Sequence, residues 1–213
     1  MAFAEGTSTI SPAHEGVCID AMARTLAKIH AFPTAGLPRL PVRRDPLPEV
    51  LAFLPEEPAW DALRAHLRAR TNTAFSGSPT LLHGDFWPEN VLWHDGAVAA
   101  VLDWEDAAIG DPLSDVACTR VELRYRFGTA GMQRFTRAYA AQHRVDVERL
   151  ALWQVYVAAA AQRFMGGWGL APAREAHMRT EALASIREAA AFLMAPPHRT
   201  SGWGLSVAVP PLP

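Results

Sequence analysis

The chain has 213 residues, half of them hydrophobic, with 20 Lys and Arg against 22 Asp and Glu for a formal net charge of −2. That is enough apolar material for one sizeable core. The near-neutral balance leaves no electrostatic footprint for nucleic acid or an anionic membrane. The opening Met1-Ala2-Phe3-Ala4-Glu5-Gly6 lacks the regions of a signal peptide, and Cys18 and Cys118 fall in helical segments, so reduced, packed thiols in a cytoplasmic protein are expected.

Residues 1–10 are expected to be a flexible start. Ser11-Pro12 offers an N-cap and a first-position proline, and Ile19, Met22, Leu26 and Ile29 recur on one helical face until Phe32-Pro33 stops it. Pro33 to Pro58 reads as a proline-rich surface connector, and Trp60, Leu63 and Leu67 mark a short helix. Gly84 and Pro88 break the next stretch into a loop. Asp95-Gly96 then signals a two-residue turn between the apolar runs Val91-Leu92-Trp93 and Ala97 to Leu102. That turn sets His94 opposite Ala97, Trp93 opposite Val98 and Asn90 opposite Val101. Asp103, two residues beyond Val101, shares its face, so Asn90 and Asp103 are expected as diagonal neighbours with backbones about 7–8 Å apart.

Asp111-Pro112 is a second cap and first position, opening a helix through about Tyr125 and making Asp111 structural. Further helices are expected from about Met132 to His143, Asp146 to Met165 and Arg174 to Leu193. Gly166-Gly167-Trp168-Gly169 lies between the last two, as an interhelical loop rather than a phosphate cradle. The apolar stretch Leu150 to Ala161 is too short to span a membrane. The tail 195–213, with Pro196-Pro197 and Pro210-Pro211, is expected to lack fixed structure.

Two carboxylates and a carboxamide thus gather around one hairpin, which suits phosphoryl transfer. Such chemistry needs a base to orient and deprotonate a hydroxyl, and oxygen ligands to hold Mg²⁺ against nucleotide phosphates. Asp85, Asn90 and Asp103 can supply both, with Asp85 on a loop that can approach from the side and Asn90 and Asp103 able to grip one cation from two strands. His83 reads as a second base or, preferably, as a buried residue tying down loop backbone. Asp115 either anchors the catalytic loop or faces solvent. Trp93 is expected to pack, Trp87 is open between packing and stacking, and Glu105 and Asp106 either attract a cationic acceptor or form a solvated turn.

His83-Gly84-Asp85-x-x-x-x-Asn90, the hairpin, Asp103-Trp104-Glu105-x-Ala107 and Gly110-Asp111-Pro112-x-x-Asp115-Val116-Ala117 together resemble the aminoglycoside phosphotransferase family of small-molecule kinases. The helix ending Leu26-Ala27-Lys28-Ile29-His30 resembles that family's first helix after the hinge. The resemblance implies an α+β, mainly helical, protein-kinase-like C-terminal lobe over residues 11–194. It also implies Asp85 as catalytic aspartate, Asn90 and Asp103 as magnesium ligands in ATP or GTP binding, and His83 and Asp115 in support. Glu89 departs from the small residue expected before the asparagine. The nucleotide lobe's strand lysine and glycine-rich loop have no counterpart, since Lys28 is the only lysine and sits in a helix. The expectation is therefore a small-molecule kinase lacking its N-terminal lobe, which an upstream segment or partner chain would supply. A non-catalytic acceptor-binding module is the alternative, and a metal-dependent phosphohydrolase using His83, Asp85 and Asp103 ranks last.

Overall fold

The computed structural model describes residues 5–195. In chain order the elements are α1 (Glu15–His30), β1 (Val42–Arg43), α2 (Leu47–Phe53), α3 (Asp61–Arg68), β2 (Thr80–Leu82), β3 (Val91–His94), β4 (Ala97–Val101), β5 (Ala108–Gly110), α4 (Leu113–Ala140), α5 (Val147–Phe164) and α6 (Pro172–Leu193). The result is mainly helical, with two small sheets. The expected proline-rich tail lies, beyond residue 195, outside the described residues.

Helix α1 forms where its apolar period predicts, and Ile19, Met22 and Leu26 are fully buried. Its start differs from expectation. Pro12–His14 is a 3-10 turn, His14 occupies the cap position, and Ser11 Oγ bonds the His14 ring at 3.0 Å rather than capping the helix. Ahead of it, Thr7 exchanges backbone bonds of 3.0 and 2.9 Å with Trp93 on β3. Helix α5 is capped as a helix start should be, with Asp146 accepting from the Glu148 and Arg149 amides at 3.1 Å. The two helices expected from Asp111 to Tyr125 and from Met132 to His143 are the two arms of α4, which breaks between them at Gly128, where the backbone leaves helical geometry (φ 64°, ψ −170°). Helices α1, α4, α5 and α6 pack around a core that includes Val121, Phe135, Leu150, Val155 and Ile186. Arg120, buried on α4, ties it to α5 by donating to Gln154 at 2.9 Å. The Gly166–Gly169 segment lies in the α5–α6 connection.

The connector expected from Pro33 to Pro58 carries both β1 and α2. Strand β1 pairs parallel with β5, and β5 pairs antiparallel with β2, giving the order β1-β5-β2. Gly110 makes this possible, because a Cβ there would stand 1.8 Å from the Arg43 carbonyl oxygen.

The hairpin turn forms at Asp95 (φ 48°) and Gly96 (φ 76°), with Trp93 opposite Val98 and His94 opposite Ala97 as expected. A bulge beyond Trp93 then changes the register. Ala99 is left unopposed, Leu92 faces Ala100, and Val91 rather than Asn90 faces Val101. Asn90 instead closes the 3-10 turn Pro88–Asn90, and β4 ends at Val101. The diagonal strand relation between Asn90 and Asp103 is therefore replaced by one backbone bond, in which the Leu102 amide donates to the Asn90 carbonyl at 2.8 Å. No helix among the described residues is long and apolar enough to cross a membrane.

Candidate functional site

Strand β2 delivers the chain into the loop His83–Trp87, and Asp115 holds that loop in place. Asp115 sits in the first turn of α4, 1% exposed, and accepts the His83 amide at 2.7 Å and the Gly84 amide at 3.0 Å. Of the two readings open in the sequence, the structure has it anchoring the loop. His30, at the end of α1, supports it. Its Nε2 lies 3.2 Å from Asp115 Oδ2, and its Nδ1 lies 2.7 Å from the Tyr139 hydroxyl. A consistent assignment has Tyr139 donating to His30 and His30 donating to Asp115. Nothing in the sequence pairs residues 30, 115 and 139.

His83 is fully buried and ties backbone, as the preferred reading of it held. Its Nε2 donates to the Leu102 carbonyl at 2.8 Å, and its Nδ1 accepts the Asp85 amide at 3.3 Å. It thereby joins the loop to the hairpin's exit, one residue before Asp103. The Trp104 ring packs on it at 4.6 Å between centroids. Gly84 must be glycine: its φ is +89°, and a Cβ would fall 2.1 Å from the Asp106 carbonyl oxygen.

Asn90 faces Asp85. Its amide nitrogen donates to the Asp85 carbonyl at 2.9 Å and to Asp85 Oδ2 at 3.2 Å, which fixes the amide's orientation and leaves its oxygen without a hydrogen-bond partner among the described residues. Asp103 stands exposed just past β4 in a left-handed conformation (φ 59°), a strained geometry that short polar side chains tolerate. Burial first, then the charges of Asp106 and Asp103, raises the Asp85 carboxyl above its ordinary pKa, against the opposing effects of His83 and Asn90. Bringing acidic groups together in this way suits a cation. Among the described residues no three His, Cys, Asp or Glu form a metal-holding group. A magnesium ion shared with nucleotide phosphates needs fewer protein ligands than that.

Three neighbours escaped the sequence reading. Arg43, on β1, reaches the Gly84 carbonyl and Asp106, each at 3.4 Å. The Cys118 thiol, on α4, lies 3.9 Å from Asp85 Oδ1, and burial raises its pKa well above the ordinary thiol value. Glu122, one turn further along α4, lies on a cleft of about 260 Å³ that also touches Trp87, Glu89, Tyr125, Arg126 and Arg174. Trp87 thus lines the cleft while Trp93 is buried in the core.

A family model described as "Phosphotransferase enzyme family" matches residues 1–153. The fold is similar to that of a Ralstonia eutropha protein provisionally named an aminoglycoside phosphotransferase, with a TM-score of 0.63 at 16% identity, covering 91% of this chain and 71% of that one. It is also similar to a thermostable mutant of aminoglycoside phosphotransferase APH(4)-Ia in ternary complex with AMP-PNP and hygromycin B, with a TM-score of 0.57 at 17% identity, covering 87% of this chain and 70% of that one. A stretch of 40 residues, 18% of this chain, is 52% identical to the mouse (Mus musculus) acyl-CoA dehydrogenase family member 10, and the match spans 4% of that protein's length.

Proposed function

The chain belongs to the phosphotransferase enzyme family, and from that premise we propose that it transfers the γ-phosphoryl group of ATP or GTP to a hydroxyl of a small molecule. The observation that carries this reading is the clamp on Asp85. Asp115 holds the amides of His83 and Gly84, and the Asn90 amide holds Asp85 by its carbonyl and by one carboxylate oxygen. The other carboxylate oxygen, which meets only the weak thiol donor of Cys118 at 3.9 Å, would orient an incoming hydroxyl and take its proton. Its raised pKa makes it a better base than an ordinary aspartate. In phosphoryl transfer, positioning and charge stabilisation carry most of the catalysis.

The unpartnered Asn90 oxygen and the exposed Asp103 carboxylate are the groups that would hold Mg²⁺. Bound with the nucleotide, that ion supplies neutralisation of the charge on the phosphates. His83 and Asp115 act by positioning, keeping Asp85 and the strand exit before Asp103 at a fixed separation. A nucleotide-covering lobe with a phosphate-pairing lysine would come from another segment or a partner chain, since the one lysine, Lys28, sits exposed on α1. That lysine's position also favours a second reading, an acceptor-binding lobe without turnover.

Calorimetric titration with Mg-ATP, combined with phosphorus NMR of hydroxyl acceptors, separates the two readings. Asp85→Ala is expected to abolish transfer while sparing nucleotide affinity, and Asp103→Ala to weaken Mg-nucleotide binding itself. Equal loss of nucleotide affinity in both variants contradicts this division of roles. Failure of the chain to bind Mg-ATP at millimolar concentration favours the binding lobe.

A further inference from the structure

We propose that the cleft beside Asp85 takes an acceptor carrying an anionic group, a carboxylate or a phosphate, held by Arg126 and Arg174. Its hydroxyl end meets Asp85, and for that end alone the assignment rests on the phosphotransfer reading above.

Helix α4 leads away from Asp85 along this cleft. Cys118 touches Asp85, Glu122 follows one turn later, and Tyr125 and Arg126 come on the next turn. Eight residues at 1.5 Å each place the Arg126 backbone roughly 12 Å beyond that of Cys118. Long helical side chains lean back toward the N-terminus, which brings the guanidinium closer to the loop.

The charges in the cleft do not balance. Arg126 from α4 and Arg174 from α6 both reach a single oxygen, Glu89 Oε1, each at 3.5 Å. Charge-assisted N–H···O bonds are ordinarily about 2.7–2.9 Å, so neither pairing is tight. One carboxylate between two guanidiniums leaves a positive charge in excess, with donors unused on both arginines. Glu122 does not cancel it. No hydrogen bond or ion pair engages Glu122 among the described residues, and its carboxyl is pushed up to about 8. Burial is the main cause, helped by Asp85 and Glu89 and opposed by Arg174. At neutral pH it therefore presents an O–H. The Tyr125 hydroxyl, on the same cleft, is buried and also lacks a hydrogen-bond partner among the described residues. The floor thus carries two uncharged polar groups waiting for hydrogen bonds, and the mouth carries two cations. His177 spends its ring nitrogen on the Tyr125 carbonyl at 3.0 Å and closes the α4–α6 side. A cationic acceptor would meet Arg126 and Arg174 with no compensating charge, whereas an anionic one completes the set.

Four probes of matched length decide the matter: 6-hydroxyhexanoate, 6-hydroxyhexyl phosphate, 1,6-hexanediol and 6-amino-1-hexanol, titrated while following tryptophan fluorescence and heat. The anionic pair is expected to bind at least about tenfold tighter than the diol, with the amine weakest. The tighter of the two anions identifies the headgroup. The double variant Arg126→Gln, Arg174→Gln, at exposed positions, is expected to erase the anion preference while leaving diol affinity and thermal midpoint unchanged. The groups facing Glu122 are Asp85, Cys118, Glu89, Tyr125, Arg126, Arg174 and His177. With Glu122 ionising among them, affinity for 6-hydroxyhexanoate is expected to fall between pH 7 and 9 in the wild type and to stay level in Glu122→Gln. Equal affinities across the series, a preference for the amine, an anion preference that survives loss of both arginines, or no binding at tens of millimolar each overturns the proposal. Arginine-dependent anion binding without phosphate transfer from Mg-ATP would retain this site and sink the kinase reading. Transfer to the diol and amine as readily as to the anions would do the reverse.

Discussion

Replacing Asp115 by asparagine tests whether the loop is held as the geometry indicates. The carboxylate accepts three donors: the His83 amide at 2.7 Å and the His30 ring at 3.2 Å on Oδ2, and the Gly84 amide at 3.0 Å on Oδ1. Asparagine is nearly isosteric but has one oxygen. Placed at the Oδ2 position, that oxygen keeps His83 and His30 and turns an N–H against the Gly84 amide; flipped, it keeps Gly84 and orphans the other two. Either way at least one buried donor is lost, and a donor faces a donor. A hydrogen bond to a charged group contributes about 1.5–3 kcal/mol, and a buried orphan costs about 1–3 kcal/mol. The expected loss for Asp115→Asn is therefore about 2–4 kcal/mol, and Asp115→Ala, which removes every acceptor, should lose more. Against a total stability of about 5–15 kcal/mol for a domain, this is a large fraction. Equilibrium urea unfolding followed by tryptophan fluorescence measures it, with hydrogen exchange at His83 and Gly84 as the local readout. An Asp115→Asn variant within about 1 kcal/mol of wild type, or one with unchanged protection at those two amides, would refute the claim that this carboxylate holds the loop.

Other substitutions carry different signs. Gly110→Ala should destabilise by several kcal/mol in the same unfolding assay, because its methyl group would overlap the Arg43 carbonyl and split β1 from β5. Glu122→Gln should stabilise the protein at alkaline pH. The unfolded carboxyl ionises near 4.5 while the folded one holds its proton up to about 8, so native stability falls as pH rises between those values. At 1.36 kcal/mol per pH unit the ceiling is near 5 kcal/mol, and residual solvent contact brings the expected gain at pH 8.5 to about 1–3 kcal/mol, with a flatter stability curve across that window. Arg134→Ala breaks a two-point ion pair with Asp20, at 2.8 and 2.7 Å, that is exposed to solvent and screened by it, so its urea midpoint should stay close to that of the wild type.

The parts of the site legible in the sequence are those fixed by local chemistry. Asp95-Gly96 specifies its turn because both residues adopt positive φ with little penalty, and that settles the pairing as far as Trp93. The register fails beyond it, where Ala97-Val98-Ala99-Ala100 offers little side-chain alternation to pin the strand, so packing rather than pattern decides where the extra residue goes. Strand β1 is harder still. Two residues in a proline-rich stretch carry no period, and their pairing depends on a missing Cβ at Gly110, far along the chain. Helix α4 did carry a usable signal. Asp115, Cys118, Thr119 and Glu122 fall at helical spacing and form a polar stripe that resembles an ordinary solvent face. That face is instead turned toward the loop His83–Trp87, where Asp115 ties two amides, Cys118 touches Asp85, and Thr119 donates to the Phe86 carbonyl at 2.7 Å. One helix therefore sets both the height of the loop and the floor of the cleft beside it. A rotation of α4 by even a fraction of a turn would move the Asp85 anchor and the cleft groups Glu122 and Tyr125 together. The buried Arg120, on the opposite side of the same turn, resists that rotation by donating to Gln154 of α5 at 2.9 Å.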